Sequence, residues 1–324
     1  MDVVALGELL IDFSITGPSS LASRSIQGSA GGAPANVLAM VSRLGGTTQF
    51  IGKVGQDTFG DYLEACLRDM AVDTSSLLRD AHRTTLAFVQ VAENGERSFT
   101  FERNPGADTQ LTVSDIQDVW FAQTKVFHFG SLSLTTEPAR SATWHAVKRA
   151  REAGCLISFD PNLRPLLWAS LKDARTLMLE AIEQADILKL SDDELGFLTG
   201  YEDINDGIAS LRQRNSRGLF LVTLGDRGSV YATPQGTGYV EAIAVDPVDT
   251  TAAGDAFLGA FLYGLTRHTA DKHWWTDAAA LRELVEFANV AGALTTTKKG
   301  AFRALPTLQE IVKRQRDGGG EQFK

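Results

Sequence analysis

The chain is poor in the residues that build covalent or metal frameworks. Its 324 residues include two cysteines, Cys66 and Cys155, which lack metal-ligand spacing and lie among apolar neighbours. A disulfide scaffold and a zinc cluster are excluded, and buried thiols in a reducing cytoplasm are expected. The five histidines are scattered, with no HExxH pair, which removes the zinc-protease pattern. No run approaches the roughly eighteen apolar residues of a membrane span. Positive charge is also scarce: the formal charge is -9 and the pI near 5.1, without a basic run or basic-aromatic interleaving. Nucleic acid is therefore not expected as a partner. GxxxxGK[ST] is absent and no GxGxxG follows a strand, so the usual P-loop and dinucleotide readings fail. No internal repeat is present.

What is there is a core-building chain, 44% hydrophobic, long enough for two ordinary domains or one large α/β domain with an insertion. Apolar runs such as "VVALG", "QFIGKVG", "KVFHFG", "CLISFD", "DILKL" and "LFLVTLG" alternate with segments of helical period, one through Val37, Met40, Val41 and Leu44, another through Tyr62, Leu63, Cys66, Leu67 and Met70. That alternation predicts a mostly parallel sheet covered by helices on both faces. The N-terminal "MDVVALGELLIDF" has an acid at position 2 and reads as a first strand rather than a signal peptide. Two segments break the pattern. Thr84 to Val91 and Glu96 to Arg103 read as strands joined through "ENG", and with the polar stretch Asp12 to Ala30 they form a small sheet standing off the main one, either a lid or an edge hairpin. The division is then a main body of 1–11, 31–83 and 108–324, a small β unit of 12–30 and 84–107, and a mobile tail over 317–324.

Chemistry is expected beyond the carboxyl ends of the strands. There the sequence places Asp12, then "PNLR" with Asn162 and Arg164, "SDDE" with Glu194, and "DRG"; each residue type also suits an ordinary turn. Two glycine-rich segments stand out. In "SAGGAPANVLAMVSRLGG", Gly31 and Gly32 precede Pro34 at a helix start, and backbone amides with Asn36 can face a small polyol. In "VDTTAAGDAFLGAF", apolar residues from Ala256 recur at helical spacing, so a helix begins near Gly254 with unpartnered amides beside small residues. That is an anion site by geometry and dipole. Asp255 in the same turn fits either a functional carboxylate or a simple dipole partner.

Together these two segments resemble the paired signatures of the ribokinase-like, or PfkB, carbohydrate kinases. "GELLIDF", "ERSFTFERNPGAD", "FHFGSLSLTTEP", "SFDPNLRPLLW", "ADILKLSDDELGFLTG" and "FANVAGALTTTKKGAFRALP" are similar to the fructokinase branch over nearly the whole chain. The resemblance implies a three-layer α/β/α fold with a small β-sheet lid, transfer of the γ-phosphoryl group of ATP to the 6-hydroxyl of D-fructose, and Asp255 as the base. It implies an anion hole at the amides of Ala252, Ala253 and Gly254, with Arg164 near the transferring end. Many relatives have glycine at the place of Ala252, a change that a negative φ would make harmless. Sugar binding falls by resemblance to Asp12, Gly31, Gly32 and Asn36, with Phe99, Phe101 and Arg103 from the lid. The ATP side uses Lys189, Ser191, Thr223, Gly225, Gly228 and Asn289. Glu194 is expected to hold Mg²⁺ through water, with Ser191 where the family's NxxE motif has asparagine. Potassium is implied at Asp249 and Thr251 with carbonyls of Thr295, Lys298 and Gly300, and a homodimer through the lid is compatible with the family. Gly130 and Ser131 stand where ribokinases place a sugar-binding glutamate, which disfavours ribose. The rivals are 2-keto-3-deoxygluconate, whose carboxylate Arg103 or Arg164 could pair, and a non-catalytic sugar or nucleotide sensor on the same fold.

Overall fold

The computed structural model describes residues 1–20, 23–91, 97–268 and 277–317. In chain order its strands are β1 (Val3–Leu6), β2 (Leu10–Ser20), β3 (Ser23–Gly31), β4 (Thr48–Gly55), β5 (Leu77–Asp80), β6 (Leu86–Val91), β7 (Arg97–Glu102), β8 (Val126–Gly130), β9 (Leu156–Asp160), β10 (Ile187–Ser191), β11 (Leu219–Thr223), β12 (Ser229–Thr233) and β13 (Gly236–Val240). The helices are α1 (Ala33–Arg43), α2 (Thr58–Asp69), α3 (Ala139–Glu152), α4 (Leu171–Gln184), α5 (Asp192–Thr199), α6 (Ile204–Arg214), α7 (Ala253–His268), α8 (Ala278–Thr295) and α9 (Leu308–Asp317).

The large sheet runs β13-β12-β11-β10-β9-β8-β1-β4-β5 and is parallel from β5 to β11, with β12 antiparallel to both its neighbours. Its central strands are buried almost throughout and mostly apolar because both faces are covered, with His128, Ser158, Asp160 and Lys189 as polar interruptions. Side chains alternate between two cores. Val3 and Ala5 join Val37, Phe261 and Leu284 on one face, while Val4 and Leu6 join Ala146, Met178 and Leu211 on the other. The three-layer arrangement expected from the alternation of runs is therefore present.

The small sheet is ordered β3-β2-β6-β7. Its hairpin β6–β7 pairs Leu86 with Glu102 through Val91 with Arg97, and β2 lies parallel to β6. The intervening "ENG" turn, like the tail beyond Asp317, lies outside the described residues. Both breaks in the α/β pattern thus belong to one sheet, whose chain crossings at Leu10, Gly31, Leu86 and Glu102 stand near the carboxyl end of β1.

Local signals set the helices that matter for the site. Pro34 occupies the first turn of α1, and the amides of Gly45 and Gly46 close its other end on the carbonyls of Ser42 and Val41, with Gly45 at φ 97°. Helix α7 begins at Ala253, one residue before the expected start. Cys155 is buried, but Cys66, expected to be buried, is only partly so: it lies towards the surface of α2. Among the described residues no helix is long and apolar enough to cross a membrane.

Candidate active site

Asp255, in the first turn of α7, is 7% exposed and held on both oxygens. Asn36 Nδ2, one turn into α1, donates to Oδ2 at 2.7 Å, and Asn162 Nδ2, just past β9, donates to Oδ1 at 3.3 Å. Burial pushes the Asp255 carboxyl above its ordinary range against these amides, Lys189 and Arg164. The carboxylate is thus oriented by two neutral donors and kept more basic than an exposed aspartate. Asn162 adopts φ 46°, a left-handed conformation that asparagine tolerates and that turns its amide to Asp255. Sequence reading named Asn162 only as a strand-end residue; its contact depends on the path after β9, which no local pattern encodes.

Lys189 and Asp160 lie beneath this turn. Their ion pair spans 3.0 Å, with both side chains at least 93% buried by their exposures of 7% and 1%. Burial works against the ammonium, but Asp160, Glu194 and Asp255 outweigh it and raise its pKa, so the lysine stays charged. Asp160 is pushed up to about 7 by burial, with Lys189 opposing. The ammonium faces Asp160 Oδ2, while Oδ1 has no hydrogen-bond partner among the described residues. A Cβ on Gly254 would stand 2.7 Å from Lys189 Nζ, so this position admits glycine while the cation lies against the backbone.

The expected anion hole is partly altered by the structure. No carbonyl among the described residues accepts from the amides of Ala252, Gly254 or Asp255, as befits a helix start, whereas the Ala253 amide reaches the Thr250 carbonyl at 3.3 Å. Ala252 has φ 59°. The condition under which alanine for glycine would be harmless is therefore not met: the Cβ sits in the left-handed region at a cost of about 1–2 kcal/mol.

Among the sugar-binding candidates, Asp12 of β2 is partly buried and its carboxyl is pushed up to about 6 by desolvation, with Arg164 lowering and Asp255 raising it. Gly31 sits against it, since a Cβ there would collide with Asp12 Oδ2. Gly32 caps α1 at φ 122°. Asn36 Oδ1 is buried and has no hydrogen-bond partner among the described residues. Arg164 is partly exposed and electrostatically coupled to both Asp12 and Asp255. Phe101 lines a cleft of about 580 Å³ with Arg103, Gln110, Glu137 and Leu167. Phe99 stands on β7 opposite Val89, its side chain outside the described residues. Arg103, expected towards substrate, is committed within the protein: it pairs with Asp108 at 2.7 Å and donates to Thr135 Oγ1 and the Leu132 carbonyl. A substrate carboxylate there would have to displace Asp108.

The nucleotide-side candidates lie along the ends of β10 and β11. Ser191 and Thr223 are register partners, and Gly225 and Gly228 bound the next turn at φ 62° and 105°. Ser191 also caps α5 in a capping box with Glu194, whose other oxygen accepts the Leu163 amide at 2.8 Å. Asn289 holds α8 to the sheet through Ser229 Oγ and the Val240 carbonyl, at 2.9 and 3.2 Å.

No group of three or more His, Cys, Asp or Glu suited to a metal occurs among the described residues. Glu194 already accepts protein donors on both oxygens, a set that fits a dication held through water but not a protein cage. Asp249 accepts from Thr251 N, Thr251 Oγ1 and Gly300 N at 3.0, 2.6 and 3.1 Å, tying the loop before α7 to the one after α8. Thr295 Oγ1 bonds back to Ala291, and Lys298 N approaches the Thr295 carbonyl at 3.5 Å. The ligands these residues could offer are carboxylate, hydroxyl and carbonyl oxygens, the type that a hard cation takes.

The model of the pfkB family carbohydrate kinases matches residues 1–308. "Fructokinase-1" of Oryza sativa subsp. japonica is 46% identical over 314 residues, covering 96% of each chain. Among solved structures, a fructokinase with bound ATP from Xylella fastidiosa superposes with a TM-score of 0.90 at 36% identity, covering 98% of this chain and 99% of that one. A Vibrio cholerae O395 fructokinase bound to fructose, ADP and calcium ion gives 0.86 at 38% identity, covering 95% and 97%. With the family match running over residues 1–308, the chain belongs to the pfkB family of carbohydrate kinases.

Proposed function

We propose that this protein is a fructokinase, transferring the γ-phosphoryl group of ATP to the 6-hydroxyl of D-fructose to give fructose 6-phosphate and ADP. The observation that carries the reading is Asp255, buried at the start of α7 between Asn36 and Asn162, beside the unpartnered Asn36 oxygen and Asp12. Similarity over the full length to proteins named fructokinase supports the choice of sugar.

In this reading Asp12, the Gly31–Gly32 turn and Asn36 bind the sugar hydroxyls and bring one of them to Asp255. The hydroxyl oxygen attacks the γ-phosphorus, its proton passes to Asp255, and the bond to the β,γ-bridging oxygen breaks with ADP as leaving group. The Ala252 and Gly254 amides, the α7 dipole and Lys189 oppose the charge that develops, and Arg164 adds a cation on the sugar side. Ser191, Thr223, Gly225 and Gly228 flank the adenosine end. Mg²⁺ would enter with ATP and be held through water near Glu194, neutralising phosphate charge. Potassium would sit by Asp249 and Thr251 and fix the loop's shape. The small sheet would act as a lid that excludes water, with dimerisation through it, in a reducing cytoplasm where Cys66 and Cys155 form no disulfide.

The test is ADP release with Mg-ATP in potassium buffer across fructose, ribose, 2-keto-3-deoxygluconate, glucose, mannose and adenosine. Fructose is expected to dominate, with product phosphorylated at carbon six. Preference for 2-keto-3-deoxygluconate would overturn the substrate, and silence across the panel would favour a sensor.

A further inference from the structure

Glu8 lies between β1 and β2 and is 3% exposed. Oε1 accepts the Ala33 amide at 2.8 Å, and Oε2 is buried with no partner among the described residues. Gly32, the residue preceding α1, supplies no side-chain cap. The buried start of α1 is therefore satisfied by a carboxylate 25 residues away in sequence rather than by its own neighbour. Gly32 also packs against the Glu8 carbonyl so closely that a Cβ there would collide with it. Glu8 thus meets Gly32 with its carbonyl and Ala33 with its carboxylate. Asn36 follows in the same helical turn, its amide bonded to the Gly32 carbonyl at 2.9 Å and its side chain on Asp255.

We propose that Glu8 is a positioning residue for sugar binding: by holding the start of α1 it fixes the Gly31–Gly32 turn and Asn36 in the geometry that the sugar hydroxyls meet. The inference rests on the sugar site proposed above. Glu8 is not placed against the sugar. The charges that face it are Arg103 and Asp108, at the foot of the small sheet, and burial pushes its carboxyl up to about 7. An acceptor oxygen, not a formal charge, is what the Ala33 amide requires, so glutamine suffices and an apolar side chain of similar volume does not.

Full-length Glu8→Gln, Glu8→Met and Asn36→Ala are to be compared with the parent protein, using the sugar it turns over fastest and varying sugar and ATP separately. Glu8→Met is expected to raise KM for sugar about tenfold or more, with KM for ATP and kcat within threefold, and Glu8→Gln to return the sugar KM to within threefold. A Glu8→Met sugar KM within threefold, or a loss confined to kcat, would assign Glu8 to folding alone and overturn the proposal. So would a glutamine variant as impaired as methionine; if the methionine variant does not fold, a tenfold rise in Glu8→Gln overturns it by itself. Should Asn36→Ala also leave the sugar KM unchanged, the sugar site itself is misplaced; should Asn36→Ala alone raise it, only the role of Glu8 falls.

Discussion

Replacing Ala252 by glycine isolates the strain in the loop that begins α7. The residue sits at φ 59°, where an L side chain costs about 1–2 kcal/mol. Glycine removes that cost but enlarges the freedom of the unfolded chain, an opposing effect of about 0.5–1 kcal/mol. The net expectation is a stabilisation of about 0.5–1 kcal/mol. With an unfolding entropy near 2.1 cal/mol/K per residue over 324 residues, this raises the melting temperature by roughly 1 °C, so denaturant titration is the better assay. Ala252→Val places a β-branched side chain in the same conformation and is expected to destabilise by more than about 1 kcal/mol. Because the backbone keeps its course, turnover of Ala252→Gly should stay within about threefold of the parent. A glycine variant less stable by about 1 kcal/mol, or a neutral valine variant, would refute the left-handed assignment.

Stability should also depend on pH through two carboxyls raised by desolvation. Glu8 and Asp12 are raised from 4.5 and 3.8 to about 7 and about 6, so the folded protein retains protons that the unfolded chain has released. Their stabilising contribution is present below the unfolded values and is lost as pH rises through 6 to 7. The urea midpoint is expected to fall between about pH 5 and pH 7.5, and to fall less in Glu8→Gln; a midpoint that rises over this window contradicts the assignment. Potassium and sodium chloride at equal strength should support different rates if the Asp249 loop holds a monovalent cation, and equal rates would remove that site.

The strands of the large sheet, though not their order, were legible because buried parallel strands are rich in apolar residues, and the runs from "VVALG" to "LFLVTLG" all became strands. The two ends of α1 were legible for a similar reason: Pro34 and the Gly45–Gly46 pair act within a few residues. What escaped depends on contacts between distant segments. Asn162 acquires its contact with Asp255 only when the path after β9 meets α7. Glu8 reads as a polar interruption between two strands until the fold brings Ala33 to it. Arg103 looked available for an acid because nothing in "FERNPGAD" tells that its own Asp108 folds back to neutralise it. Backbone conformation was equally hidden at Ala252, where the residue type favours the opposite sign of φ from the one adopted.

The central claim is that Asp255 is the base for sugar phosphorylation. Asp255→Asn, assayed for fructose and ATP binding by calorimetry and for ADP release by coupled turnover, tests it most directly. Binding of both substrates within a few fold of the parent, with kcat lower by about 10²–10⁴, is the predicted result. Turnover within a few fold of the parent would contradict it.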